Sequence, residues 1–225
     1  ASYKMALEAG LAMVECDVHT SADGVPVLMH DASLERTTGV KGRVSEKTLE
    51  ELRALDAGAW KGEEFRFEGI PTLSDFLKLC RERSRVAIEI KDPSDTESVV
   101  ASIEQSDFPL ADVNIFAWEA EVILKSKPRL PQADATWLVA NTPSEPSERL
   151  ALIERAVQAG ATHLGVKNIN CDQDFFDSVH CAGLRVFVWT VNDLDQALEL
   201  AENGADGIIS DCGDAVRRRL AHKCA

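Results

Sequence analysis

Apolar positions along this chain alternate between two rhythms. Short β-branched runs, read as strands, fall at Ala12–Thr20, Val25–His30, Arg85–Lys91, Val113–Trp118, Thr136–Val139, His163–Asn168, Arg185–Val191 and Asp206–Ser210. Between most of them, spacing near 3.6 predicts helices over Leu73–Arg83, Thr96–Gln105, Glu119–Lys127, Glu148–Ala159, Gln173–Ala182, Leu194–Asn203 and Asp214–His222. A further helix over Ala1–Ala9 opens the chain. Three helices stop on a small-residue signal with a strand directly behind it, at Gly10, Gly160 and Gly204, where glycine supplies the left-handed residue that ends a helix.

Val25–His30 follows Ala12–Thr20 through Asp23-Gly24, so it reads as a hairpin-like extension of one strand. Seven strand–helix units then remain in a row. That pattern predicts an α/β fold, a (β/α)8 TIM barrel of ~250 residues lacking its first strand and the start of its first helix. A doubly wound open sheet would call for a Gly-rich phosphate turn after its first strand, and the chain contains no GxGxxG. Residues 1–225 are read as one barrel domain with an excursion at 31–72, long for a βα connection. The excursion is expected to be ordered, with a short helix at Ser45–Leu55 starting behind Ser45 and an aromatic patch of Trp60, Phe65 and Phe67. Long ordered loops at the C-terminal face of a barrel commonly belong to the active site.

Side chains alternate along a strand, so parity assigns faces. In Met13–His19 the apolar Val14, Cys16 and Val18 suit the helix layer, which leaves Glu15 and Asp17 pointing into the barrel. In Val86–Lys91 the same count turns Val86, Ile88 and Ile90 outward and Glu89 and Lys91 inward. Three carboxylates and one ammonium therefore converge near the strand ends where barrel active sites lie. Three ionised carboxylates at close quarters need either protons or a hard cation with oxygen ligands, Mg²⁺ or Ca²⁺. A purely structural network of Glu89, Lys91 and an arginine is the competing reading. His30 ends Val25–His30 beside this strand and suits proton transfer. His19 shares the parity of Asp17 and borders the pocket in this reading, while His163, His180 and His222 are assigned structural or exposed roles. Phe187, Trp189 and Lys167 are inward by the same count, with Trp189 as a pocket wall.

Composition adds limits. A formal net charge of −14 excludes non-specific binding to nucleic acid or anionic membrane, both of which need a basic face. An anionic substrate would then require a local reversal of that field, which a cation or a placed Lys supplies. Six scattered cysteines with no CxxC pair suggest a reduced, cytoplasmic protein. No run approaches the ~20 apolar residues of a membrane span.

The runs Val14–Val18, Asp23–Asp31, Leu34–Thr38, Asp56–Trp60, Ile70–Leu73, Ile88–Lys91, Val188–Asn192 and Asp206–Asp211, in this order, resemble the glycerophosphodiester phosphodiesterase family from end to end. The resemblance implies a metal-dependent barrel that hydrolyses glycerophosphodiesters to sn-glycerol 3-phosphate and an alcohol. It places the family's metal carboxylates on Glu15, Asp17 and Glu89 and its second acid/base histidine on His30. Lys91 and Trp189 match positions that contact phosphate and glycerol. The family pattern opens with a His-Arg-Gly strand and a Pro-Glu-Asn-Thr run, neither of which stands in this sequence. The other acid/base histidine is therefore expected ahead of Ala1. Two alternatives accompany this reading: a non-catalytic truncated barrel that binds a phosphodiester or protein partner, and a related phospholipid-cleaving phosphodiesterase.

Overall fold

The structure is a computed structural model that describes residues 1–221. Eight strands form one sheet: β1 (Met13–Thr20), β2 (Pro26–Leu28), β3 (Arg85–Ile90), β4 (Val113–Ala117), β5 (Asp134–Val139), β6 (His163–Lys167), β7 (Arg185–Trp189) and β8 (Gly207–Ile208). Their order across the sheet is β2-β1-β3-β4-β5-β6-β7-β8. From β1 through β3 to β8 every pairing is parallel. Only β2 runs antiparallel, folding back on the end of β1 so that Val18 faces Leu28 and Thr20 faces Pro26. The Asp23-Gly24 hairpin was legible because Gly24 takes the left-handed conformation that such a turn needs (φ 81°).

The result is a curled α/β sheet of seven parallel strands with helices outside, the barrel-type architecture expected. Among the described residues no strand pairs β8 with β1, and a cavity of ≈ 1830 Å³ runs along that seam to the mouth of the sheet. The expected strand ahead of Ala1 concerns chain outside this sequence.

Strand parity divides the core in two. Val14, Cys16, Val18, Val86, Ile88, Ile90, Val186 and Val188 all pack into one large cluster with helix residues such as Phe76, Val99, Ile103 and Phe176. The other face holds a smaller cluster of Ala87, Phe116 and Leu138, flanked by Met13, Phe187, Trp189 and Ile209. Two pairs involving polar groups mark this inner face. Thr136 donates to Asn114 Oδ1 at 2.9 Å, and the His163 ring stacks on Phe187 at 4.6 Å. Burial pushes the His163 pKa down to about 4, so the ring fills the interior as a neutral group. Gly165 belongs to the same layer. A Cβ there would lie 2.7 Å from Leu138 Cδ2 and 2.9 Å from Thr136 Cγ2, so the neighbours use the space that the glycine leaves.

The 31–72 excursion has a core of its own. Leu34, Val44, Leu52 and Ile70 bury themselves against Val27 and Met29 from the hairpin strand. Its helix starts later than the sequence suggested. Ser45 lies in a 3-10 turn (Val44–Glu46), and the α-helix covers Leu49–Arg53 behind Thr48. Thr48 accepts from the Glu51 N–H while Glu51 accepts from the Thr48 N–H, a reciprocal cap that Ser45 cannot form with Thr48. In the expected aromatic patch Phe67 is 84% exposed and Trp60 50%. His222 lies outside the described residues.

Candidate active site

The end of β1 and the end of β3 lie side by side, with Asp17 opposite Glu89 in the parallel register. Glu15, Asp17 and Glu89 each present a carboxylate oxygen within 4.8 Å of the others. Lys91 Nζ bridges two of them, at 2.8 Å from Asp17 Oδ1 and 2.5 Å from Glu89 Oε1. Burial alone would lower the lysine pKa, but hydrogen bonds and charge from Asp17 and Glu89 hold it above its ordinary value. One ammonium faces three carboxylates, so the cluster keeps excess negative charge. Burial, reinforced by Asp17 and Glu89, drives the Glu15 pKa well above the usual carboxylate range. Glu15 Oε1 is buried and has no hydrogen-bond partner. An orphaned buried carboxylate oxygen inside an all-oxygen donor set is the chemistry of a hard divalent cation, and the residues fit one.

His30 stands beyond β2 on the wall of the same cavity. Its Nδ1 lies 2.7 Å from Asp31 Oδ1. Asp31 also accepts from Arg36 Nε. The arginine first, and the histidine second, lower the Asp31 pKa to about 2. The Arg36 guanidinium lies over the Trp60 ring, 5.3 Å from its centroid. The Asp56–Trp60 loop that carries this tryptophan is closed by Asp56, which accepts from the N–H groups of Gly58, Ala59 and Phe67. Gly58 is required there because a Cβ would lie 1.8 Å from the Phe65 carbonyl oxygen. The excursion thus supplies the groups that orient His30.

Across the cavity, Trp118 and Trp189 meet edge to face with centroids 5.5 Å apart. Trp118 Nε1 donates to Glu89 Oε1 at 3.1 Å. Trp189 Nε1 is buried without an acceptor.

The structure therefore brings Glu15, Asp17, Glu89, Lys91, His30 and Trp189 to one cavity. Lys167 is placed apart from them: it pairs in register with Trp189 but is exposed and does not line the cavity. His19 turns to Asp95 at 3.5 Å, away from the pocket wall. Sequence reasoning did not single out Asp31, Arg36 or Trp118. Asp31 and Arg36 stood inside runs already noted; for Trp118 only its inward parity with Phe116 was available.

Residues 1–215 match the sequence model of the Glycerophosphoryl diester phosphodiesterase family. The chain belongs to that family. The Bacillus subtilis protein YhdW is 29% identical over 99% of this chain and 92% of its own length. A glycerophosphodiester phosphodiesterase of Caldanaerobacter subterraneus is 30% identical over 94% of this chain and 86% of its own. Among solved structures, an Oleispira antarctica phosphodiesterase in complex with the product sn-glycerol-3-phosphate superposes with a TM-score of 0.87. It is 28% identical, and the match covers 97% of this chain and 89% of that one. The curled parallel sheet is what this family membership accounts for.

Proposed function

We propose that this protein hydrolyses small glycerophosphodiesters to sn-glycerol 3-phosphate and an alcohol, with Glu15, Asp17 and Glu89 holding Mg²⁺ or Ca²⁺. The observation that carries the reading is the convergence of three carboxylates on one cavity with a buried Glu15 oxygen left unpartnered. A bound divalent cation would supply Lewis-acid polarisation of a phosphoryl oxygen. Lys91 offsets charge beside it and offers an ammonium to the phosphate. His30, with Nδ1 engaged by Asp31, has Nε2 free to take or deliver a proton. Trp189 forms an apolar wall for the carbon skeleton, and its unpartnered N–H suits a substrate oxygen.

Among the described residues no helix is long and apolar enough to cross a membrane. The five described cysteines are free, which suits a reducing cytoplasmic setting.

The test is release of glycerol 3-phosphate from soluble glycerophosphodiesters, with EDTA and with Mg²⁺ or Ca²⁺ added back. Glu15→Ala, Asp17→Ala and Glu89→Ala should each abolish cation-dependent release. Full turnover in EDTA with those carboxylates removed refutes the metal assignment. Binding without turnover favours a non-catalytic barrel, and cleavage of lysophospholipids alone favours the phospholipid-cleaving alternative.

A further inference from the structure

Trp118 follows the last residue of β4, and its parity with Phe116 turns it inward, two residues beyond the pairing of Phe116 with Glu89. Its indole N–H reaches Glu89 Oε1 at 3.1 Å, the same oxygen that takes the Lys91 ammonium at 2.5 Å. Both donors thus converge on Oε1, and Oε2 receives no hydrogen bond among the described residues. Trp118 is itself held from two sides. Its carbonyl accepts from Trp137 Nε1 at 2.8 Å, and its ring stands at 79° to that of Trp189. The carbonyl contact anchors the backbone, and the Trp189 ring and Glu89 are what the indole itself touches. Its N–H is directed at Glu89 Oε1.

We infer that Trp118 is a positioning residue for the cation site: with Lys91 it occupies Glu89 Oε1, fixes the carboxylate plane, and leaves Oε2 for a divalent cation shared with Glu15 and Asp17. The inference rests on the metal reading above. A neutral donor suits this task because it orients the carboxylate without adding a second positive charge that would oppose the incoming ion. Groups that hydrogen-bond a ligating carboxylate tune metal affinity in this manner. A wall residue that merely excludes water would need no N–H directed at the acid.

Trp118→Phe keeps an aromatic ring against Trp189 and removes only the donor. The protein is stripped with EDTA, dialysed, and titrated with Ca²⁺ and separately with Mg²⁺ by calorimetry. The expected result is about tenfold weaker binding of the ion in the variant, with an unchanged melting temperature in EDTA. At sub-saturating cation its kcat should fall while KM for a glycerophosphodiester stays at the wild-type value. Wild-type cation affinity in the variant overturns the inference, as does a rise in KM alone, which would make Trp118 a substrate wall. A wild-type protein that takes up neither ion sinks the metal reading and this inference together. Should the variant fail to fold, ¹⁵N-indole spectra of the wild-type protein decide the matter. The Trp118 N–H signal, assigned by elimination through the other three tryptophans, should shift in step with Ca²⁺ occupancy. A signal that does not move refutes the proposal.

Discussion

Replacing Glu15 by glutamine should stabilise the metal-free protein and destabilise it relative to wild type once a divalent cation is present. The structure gives the reason. Glu15 is held beside Asp17 and Glu89 with one buried oxygen unpartnered, and burial followed by those two charges raises its pKa. An unsatisfied buried polar group costs about 1–3 kcal/mol, and the glutamine amide carries donors for the neighbouring carboxylates at every pH, whereas Glu15 has one only while it keeps a proton. For a chain of this size about 2 kcal/mol corresponds to roughly 4–8 °C in melting temperature. The sign with pH follows from proton linkage. A carboxyl whose folded pKa lies above its unfolded value keeps a proton in the fold that the unfolded chain releases, so wild-type stability falls as pH rises through that window. Below about pH 4, near the unfolded glutamate pKa, both proteins carry a neutral group and should melt alike; above it the variant should pull ahead. Saturating cation reverses the order, because an ion at a hundred times its dissociation constant adds about 2.7 kcal/mol to the wild type, and the variant has lost one of three anionic ligands. Thermal melts from pH 4 to 8, in EDTA and in excess Ca²⁺ or Mg²⁺, read all of this. A variant that melts below wild type in EDTA at pH 7.5, or a wild type indifferent to both ions, would refute the reasoning.

Asp31→Asn keeps a hydrogen-bonding side chain beside His30 but removes the charge that Arg36 and His30 share. Turnover should drop on the order of tenfold to a hundredfold, with the cation dissociation constant unchanged in calorimetry; an unaltered kcat would remove Asp31 from the proton-transfer machinery. Gly58→Ala forces a Cβ against the Phe65 carbonyl, so the Asp56–Trp60 loop must shift. Its effect should show as reduced kcat and faster proteolysis within 31–72, and a wild-type cleavage pattern would show that the loop tolerates the methyl.

Much of the site was legible because it sits on strands. Period-two alternation is a local property, and burial of Val14, Cys16 and Val18 fixes Glu15 and Asp17 on the opposite face without any knowledge of partners. The same logic handled Glu89, Lys91 and Trp189. It could say which way Lys167 points along β6 but not how high the sheet's rim stands there, and the structure leaves that side chain outside the cavity wall. The seven parallel strands were readable for a similar reason, since glycine stops at Gly10, Gly160 and Gly204 punctuate the alternation and all three take positive φ. Helix starts were less secure. Ser45 and Thr48 are both acceptable caps, and the choice depends on Glu51 standing three residues after Thr48, with Ser45 already spent in a tighter turn.

What escaped were contacts between segments distant along the chain. Trp118 and Glu89 are 29 positions apart, and their hydrogen bond depends on adjacent strands being in a register that places Phe116 beside Glu89. No local pattern encodes that distance, although the register could be deduced once both strands were aligned at their C-terminal ends. His30 raises the same issue from the other direction. Its own strand announced it, but the groups that orient it come from the excursion, where Arg36 links Asp31 to Trp60 and Gly58 lets the loop close. The carboxylates therefore sit on β1 and β3, while the proposed proton-transfer group, His30, depends on a loop with its own small core. Perturbing that core, for example by Leu52→Ala at a fully buried position, should lower kcat while leaving cation affinity intact. Coupled losses of both would show that the two halves are one cooperative unit.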